Sequence, residues 1–446
     1  MSWSRVLPSL SLAFVGLSVW VGRGVDVGPV NLQAAQIATV VVALALFSAA
    51  AVSRRAPLSG LHPTVRALFA AVVVAALLVA FAAVMSSGAA HEPLSVLRFV
   101  ARYGMGIVLV FALLHFLRSR RSLRTLEGAL LVGATASVAI AALGFVIPAL
   151  GTVTIRYGDR VQGLLNHPNQ FAIVLLAVAP IALAVALRAP RQPLRWVVLI
   201  TVAGGIAFTG SKANLLLLAG GLPLLALIAA SLRRGPIAQL RTALSLTVAA
   251  GVAAAAAYAV VLRFNPRTLA TLQRLFDDPA TTSTVQSRRE MWERAVQVGL
   301  EHPWFGVGAD HARFYLPHAH AHNVSIEFFL TMGVAGLVAL GALVTAWLGL
   351  AAVSMWLASV ARSAPFADRI GLVVYPASLL AYVVSNQSSD SFGGTTLPIA
   401  WIATALTLGH MDVVLRERAS TRVPATTPHE AQAPSSATLS PSLRAG

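Results

Sequence analysis

The residues best suited to chemistry lie in one stretch, Pro317 to Gly336, PHAHAHNVSIEFFLTMGVAG. It follows the longest polar segment of the chain and opens an apolar run. His322 stands eleven residues before Gly333, and Gly336 lies three further on. At about 100° per residue on an α-helix, these three fall within roughly 40° of one face, with Gly333 about 16 Å deeper than His322. The expectation is a membrane helix with an imidazole in its first turn and a glycine groove below. The positive end of the helix dipole and nearby cations both keep that ring neutral. A neutral imidazole accepts a proton or a hydrogen bond from a hydroxyl such as that of a sugar. The bland alternative is a helix-capping histidine.

His318, His320 and His322 alternate, which on a strand would put three metal ligands on one face. No carboxylate or cysteine stands beside them, and on a helix they would splay around the axis. His318 and His320 are therefore read as polar loop, and no metal site is expected. Glu327 and Asp390 are the acidic residues nearest the expected mouth, placed to orient His322, to hold an acceptor, or simply to be solvated.

The elements that must position these residues are membrane spans. The chain has 446 residues, 57% hydrophobic and 11% charged, with a mean hydropathy of +0.76. These values fit a polytopic membrane protein rather than a large soluble domain. There is no cysteine, which excludes disulfides and thiolate chemistry. The net charge of +17 is a topology signal before it is a sign of nucleic-acid binding, because most arginines sit in short loops between apolar runs. Residues 1–262 read as nine spans, the ninth at 242–262. Residues 263–323 read as one large loop, with an amphipathic interfacial helix following Arg288 and anchored by Trp292. Residues 324–415 read as spans ten to twelve, the tenth at 324–344 with a further apolar stretch reaching 357, and 416–446 as a disordered tail. Arginine clusters at 54–55, 118–124, 188–195, 233–241, 362–369 and 416–422 place both termini in the cytoplasm and the large loop outside.

Basic residues on the outer side break that rule and are informative. Arg98 and Arg102 lie one turn apart, Arg156 and Arg160 share a loop, Lys212 sits between two apolar spans, and Arg288 is in the large loop. Acidic partners in the spans are scarce, and a charge near hydrocarbon is costly unless paired or wet. The pattern suggests an anionic ligand, most simply a lipid phosphate or pyrophosphate. Snorkelling to lipid headgroups is the competing reading for any single arginine. The glycines of Gly306-Val307-Gly308 permit a turn that could present N–H groups to an anion.

His322-Asn323, nine residues, then Gly333-x-x-Gly336 resembles the signature of the O-antigen ligase superfamily. Arg160-x-x-Gly163 with Asn166-His167-Pro168-Asn169 is similar to a second family stretch. Thr209-Gly210-Ser211-Lys212 with Leu216 is similar to a third, in which the family usually has Arg where this chain has Lys212. Arg288, Trp292, Pro303 and Gly306-Val307-Gly308 resemble the segment preceding the histidine. The resemblance implies an all-α polytopic fold of about twelve transmembrane helices with one large periplasmic loop, like a type C glycosyltransferase. It implies a metal-independent, cofactor-free inverting glycosyltransferase of the bacterial inner membrane, with its site facing the periplasm. The donor would be a polysaccharide on undecaprenyl pyrophosphate and the acceptor lipid A–core; membrane lipid surrounds a monomer, and no nucleic acid is involved. His322 would activate or position the acceptor hydroxyl, and Arg288, Lys212 and Arg160 would bind the pyrophosphate, with Arg156, Arg102 and Arg98 as further donor-binding candidates. Asn323, Asn169, Gly333, Gly336, Glu327 and Asp390 would support them. An O-antigen polymerase, a protein O-oligosaccharyltransferase and, from another class, a lipid-linked glycan flippase are the alternatives.

Overall fold

The computed structural model describes residues 3–22, 24–27, 30–53, 58–156, 160–233, 237, 239–241, 244, 248, 251, 283–317, 320–388, 392 and 394–422. Among the described residues, eight helices are long and apolar enough to cross a membrane, and three shorter apolar helices, Pro8–Ser18, Ala34–Leu46 and Pro193–Phe208, accompany them. The chain is thus a multi-pass, predominantly helical membrane protein. The expected ninth span, 242–262, lies almost wholly outside the described residues, as do 263–282, His318, Asp390 and the tail from 423.

In chain order the helices are α1 (Trp3–Ser18), α2 (Ala34–Ser53), α3 (Pro63–Met85), α4 (Pro93–Phe116), α5 (Arg120–Leu143), α6 (Pro148–Thr154), α7 (Pro168–Arg188), α8 (Pro193–Phe208), α9 (Lys212–Ser231), α10 (Ser283–Glu301), α11 (Val324–Val360), α12 (Phe366–Ser385) and α13 (Leu397–Arg422). Proline opens α3, α4, α7 and α8, where its missing N–H costs no intrahelical bond. Two short hairpins depart from the all-helical expectation: β1 (Gly24–Val27) with β2 (Val30–Gln33), and β3 (Ile155–Arg156) with β4 (Arg160–Val161). The last helix runs to Arg422, past the expected start of the disordered tail at Arg416. Helix α7 is central, packing on α8 and α12, while α11 packs on α3 and α12.

The spans hold more acid than the sequence suggested, with Glu127, Asp368 and Asp412 each matched by an arginine. At the end of the bundle away from His322, Glu127 accepts hydrogen bonds from Arg188 Nη1 at 2.6 and 2.8 Å and from the Tyr375 hydroxyl at 2.6 Å. Asp368 accepts two from Arg120, at 2.9 and 2.6 Å. Asp412 lies 2.7 Å from Arg416 and accepts from the His62 amide. Several arginines that mark topology therefore also tie α5, α7, α12 and α13 together. Others cap helix C-termini: Arg369 donates to the carbonyls of Ala358 and Leu232.

Towards the other end, Tyr103, Trp347, Tyr382 and Trp401, all fully buried, meet Phe392 in a cluster of edge and tilted ring contacts 5.5–6.5 Å apart. Gly106 makes room for it, since a Cβ there would lie 2.0 Å from the Trp401 indole nitrogen.

The helix after His322 differs most from expectation. It runs from Val324 to Val360, taking in the further apolar stretch beyond 344, and it is broken at Gly333, which has φ +64° and ψ −154°. The segment before the break folds back on the one after it. A Cβ on Gly336 would lie 2.8 Å from the Phe328 carbonyl oxygen, whereas residues eight apart on an unbroken helix are separated by about 12 Å. Phe328 and Trp347 likewise both reach Phe392, at 5.9 and 5.8 Å. His322, Gly333 and Gly336 therefore do not share one helical face. The loop after α10 crosses at the break: Val307 and Gly308 donate to the carbonyls of Leu330 and Thr331, and Val334 and Ala335 donate to those of Pro303 and Trp304. The backbone groups freed by the break are thus satisfied in trans. Gly333→Ala forces a side chain into a glycine-only conformation, costing about 1–3 kcal/mol, and drives its Cβ to 2.5 Å from the Trp304 carbonyl carbon. A clearly lowered unfolding midpoint in detergent is expected; an unchanged midpoint would contradict this packing.

Candidate active site

The cationic part of the site starts from a short helix. At 16 residues, α8 rises only about 24 Å, short of the ~30 Å hydrocarbon core. It ends in the turn Thr209-Gly210-Ser211, where Gly210 supplies a φ of +64°. Helix α9 then begins at Lys212. Among the described residues no side chain caps its first turn; the Ser211 hydroxyl instead accepts from Asn214 at 2.8 Å. Uncapped N–H groups at a helix start, with a lysine beside them, make an anion site by dipole and charge together.

Two arginines converge on this lysine, since Lys212 lies within electrostatic reach of both Arg160 and Arg288. Arg160 is aimed by its own bonds, Nε to the Thr209 carbonyl at 2.9 Å and Nη2 to Asn169 Oδ1 at 2.8 Å. Asn169 is in turn fixed at the start of α7, its amide donating to the capping His167 ring. Arg156 is the register partner of Arg160 in the β3–β4 hairpin. Gly163, with φ +59°, closes that segment against Phe171 and Ser137.

Arg98 and Arg102, on α4, are placed differently. Arg102 reaches Asp310 of the loop at 3.4 Å, so this cation has an acidic partner that sequence reasoning did not give it. Arg98 lies one turn earlier, half-buried. Nearby, the Ala309 amide donates to Ser86 and the buried His311 ring accepts from the Glu92 amide. This loop is thereby fastened to the α3–α4 junction.

The loop that bears His322 is linked to the elements that carry the cations by three bonds. Helix α10 carries Arg288 and, one turn on, Trp292, whose indole N–H donates to the Ala321 carbonyl at 2.7 Å. Trp292 is therefore not a lipid anchor: it packs with Met291, Ala295 and Val298 against the loop that bears His322. Asn323 caps α11, its side chain accepting from the Ile326 amide, and its Nδ2 donates to the Gln387 carbonyl. Ser385, two residues before Gln387, donates to Asn214 Oδ1, two residues after Lys212. His322 thus stands just before the cap rather than in the first turn, with φ +53°, a conformation that histidine tolerates better than most side chains.

Glu327 holds the same loop from below. Its two carboxylate oxygens meet His320 Nδ1 and the Ala321 amide, each at 2.8 Å. His320, read as plain loop, is thus oriented by a carboxylate in the structure. The residues that sequence reasoning missed, His320, Asn214, Ser385 and Gln387, are single polar groups at helix ends. Asn214 alone carried a signal, two positions from Lys212 in an apolar run. The Gly306-Val307-Gly308 turn does not present its amides to an anion, because Val307 and Gly308 use them at the α11 break. Gly333 and Gly336 serve that same crossing.

Further along α9, from Leu217 onward, an apolar recess of about 320 Å³ runs between α7, α9 and α12, lined by residues including Leu176, Leu217, Gly221, Ala377 and Val384. Its upper margin, Val384, adjoins the Ser385–Asn214 bond. The arrangement joins a cationic turn to an apolar slot and, through the Ser385–Asn214 and Asn323–Gln387 bonds, to the loop that bears His322.

Residues 197–341 match the family model described as O-Antigen ligase. The match spans Lys212, Arg288, His322, Asn323, Glu327, Gly333 and Gly336. No curated protein matches the chain.

Proposed function

Because residues 197–341 match the O-antigen ligase family, a family of membrane enzymes of the ligase or transferase kind, we propose that this chain transfers a polysaccharide from undecaprenyl pyrophosphate to lipid A–core. The observation that carries this reading is the convergence of Arg160, Lys212 and Arg288 at the N-terminus of α9, with the helix bearing Arg288 tied through Trp292 to the residue preceding His322. A diphosphate suits three cations and an uncapped helix start. A polyprenyl tail suits the apolar recess further along α9.

In this reading the acceptor hydroxyl oxygen attacks the anomeric carbon of the donor sugar from the face opposite the phosphate. The carbon–oxygen bond to phosphate breaks, a glycosidic bond of inverted configuration forms, and the electron pair leaves with undecaprenyl pyrophosphate. His322 accepts the hydroxyl proton, and the cations stabilise the charge that grows on the leaving diphosphate. Glu327 acts as a positioning residue, since its carboxylate bridges the two residues preceding His322. The cations supply the charge that a divalent ion would otherwise provide, so the reaction proceeds without metal. The site would face the periplasm from the bacterial inner membrane.

The test is a purified transfer reaction with lipid-linked glycan and three acceptors offered separately: lipid A–core, a second glycan lipid, and a serine-containing peptide. Product on lipid A–core, unaltered by EDTA, is expected. Product on the glycan lipid alone would reassign the chain as a polymerase, and product on the peptide alone as a protein O-oligosaccharyltransferase. Activity lost with chelator and restored by a divalent ion would end the metal-free mechanism.

A further inference from the structure

The loop that carries the candidate site exposes an unexpected apolar surface. In α10 the buried face is Met291, Ala295 and Val298. The next apolar positions point the other way: Leu300 is 65% exposed, Trp304 70% and Phe305 41%. Large apolar groups do not cluster on a water-facing surface without a partner.

The fold fixes the height of this cluster. Trp304 accepts from the Ala335 amide, and Pro303 from that of Val334, so the cluster is bonded to the first turn after the Gly333 break. From Val334 to Val360 is about 40 Å of helix, which matches a bilayer of about 40–45 Å counted to its headgroup layers. The whole of α11, at 37 residues, would be about 55 Å long if straight and could not be matched to the membrane. The break therefore sits at the membrane surface, and Trp304 with it. Below, the same side of α11 exposes Val334, Leu337 and Val338, so the cluster continues the lipid-facing surface of a membrane-spanning helix.

We infer that Leu300, Trp304 and Phe305 form an interfacial foot that rests in the lipid headgroup layer on the side of the candidate site. The indole is suited to that layer, having an apolar body and one polar edge. The foot sets the height of α10, and through the Trp292–Ala321 bond it sets the height of Arg288 and His322 relative to lipid. The occupant of this surface is the bilayer itself.

The chain has no cysteine, so single-cysteine variants label at one position only. Trp304→Cys and Leu300→Cys would be labelled with bimane in proteoliposomes of the full chain, beside Val338→Cys as a lipid-facing reference and Arg289→Cys as an aqueous one. The Arg289 side chain is 78% exposed, on a charged face. Fluorescence at 304 and 300 is expected to be lost to lipids brominated near the glycerol end of the acyl chain, as at 338, and to resist iodide in the water phase. Quenching by iodide at either position to the extent seen at 289, with no effect of brominated lipid there, would overturn the assignment. The two positions are read independently, so a variant that fails to fold leaves the other to decide.

Discussion

Replacing His322 with asparagine is expected to abolish most transfer while leaving the donor bound. Asparagine is the informative substitution, because His322 has φ +53° and asparagine tolerates that conformation, whereas alanine would add backbone strain to any chemical effect. Asparagine retains hydrogen bonding but cannot take a proton at neutral pH. Loss of a general base costs about 10²–10⁴-fold in rate, and this loss is expected in kcat rather than in KM for the donor. Single-turnover transfer with preloaded donor reads it directly. A chain that acted only as a flippase would keep moving lipid-linked glycan with asparagine at 322.

The second large effect is expected at the cations. Lys212 stands at the uncapped start of α9 within reach of Arg160 and Arg288. A hydrogen bond to a charged group contributes about 1.5–3 kcal/mol, so Lys212→Ala is expected to weaken donor use roughly 10–150-fold. Lys212→Arg should keep the function, since it preserves charge and adds the planar fork suited to phosphate. Arg288→Ala is expected to act in the same direction. The double variant should lose less than the sum of the two, because both groups serve one ligand. Arg160 is a poorer probe, as its bonds to Thr209 and Asn169 also hold the turn and the start of α7. Donor titration of each variant, read as KM against kcat, checks the ordering.

Which parts were legible in the sequence follows from the range of the interactions. Lys212 was readable because a cation between two apolar spans is conspicuous without a partner in view, and Arg160 and Arg288 because basic residues in outer loops break the topology bias. Their convergence needed the fold, since β4, α9 and α10 are far apart in the chain. The buried carboxylates were not readable: Glu127 meets Arg188 61 residues away, and Asp368 meets Arg120 across 248. Trp292 was correctly placed on the apolar face of its helix, but periodicity cannot say whether such a face meets lipid or protein, and the Ala321 carbonyl decided it. Gly333 was singled out by its spacing from His322 and then misread as a groove. A glycine in an apolar run looks the same whether a ligand or another backbone approaches it, and here Trp304 does. Asn323 was the local signal that would have corrected the position of His322, since asparagine is a strong N-cap and the residue before a cap lies outside the helix.

The account rests on a division of labour between the cations and the imidazole. It is tested most directly by measuring undecaprenyl pyrophosphate binding and glycan transfer on the same purified preparations, in the presence of EDTA. The wild-type chain, His322→Asn and the Lys212→Ala/Arg288→Ala double variant are the three proteins required. His322→Asn is expected to bind the lipid diphosphate as the wild type does and to transfer almost nothing, while the double variant loses binding. Wild-type transfer by His322→Asn, or undiminished binding by the double variant, would contradict it.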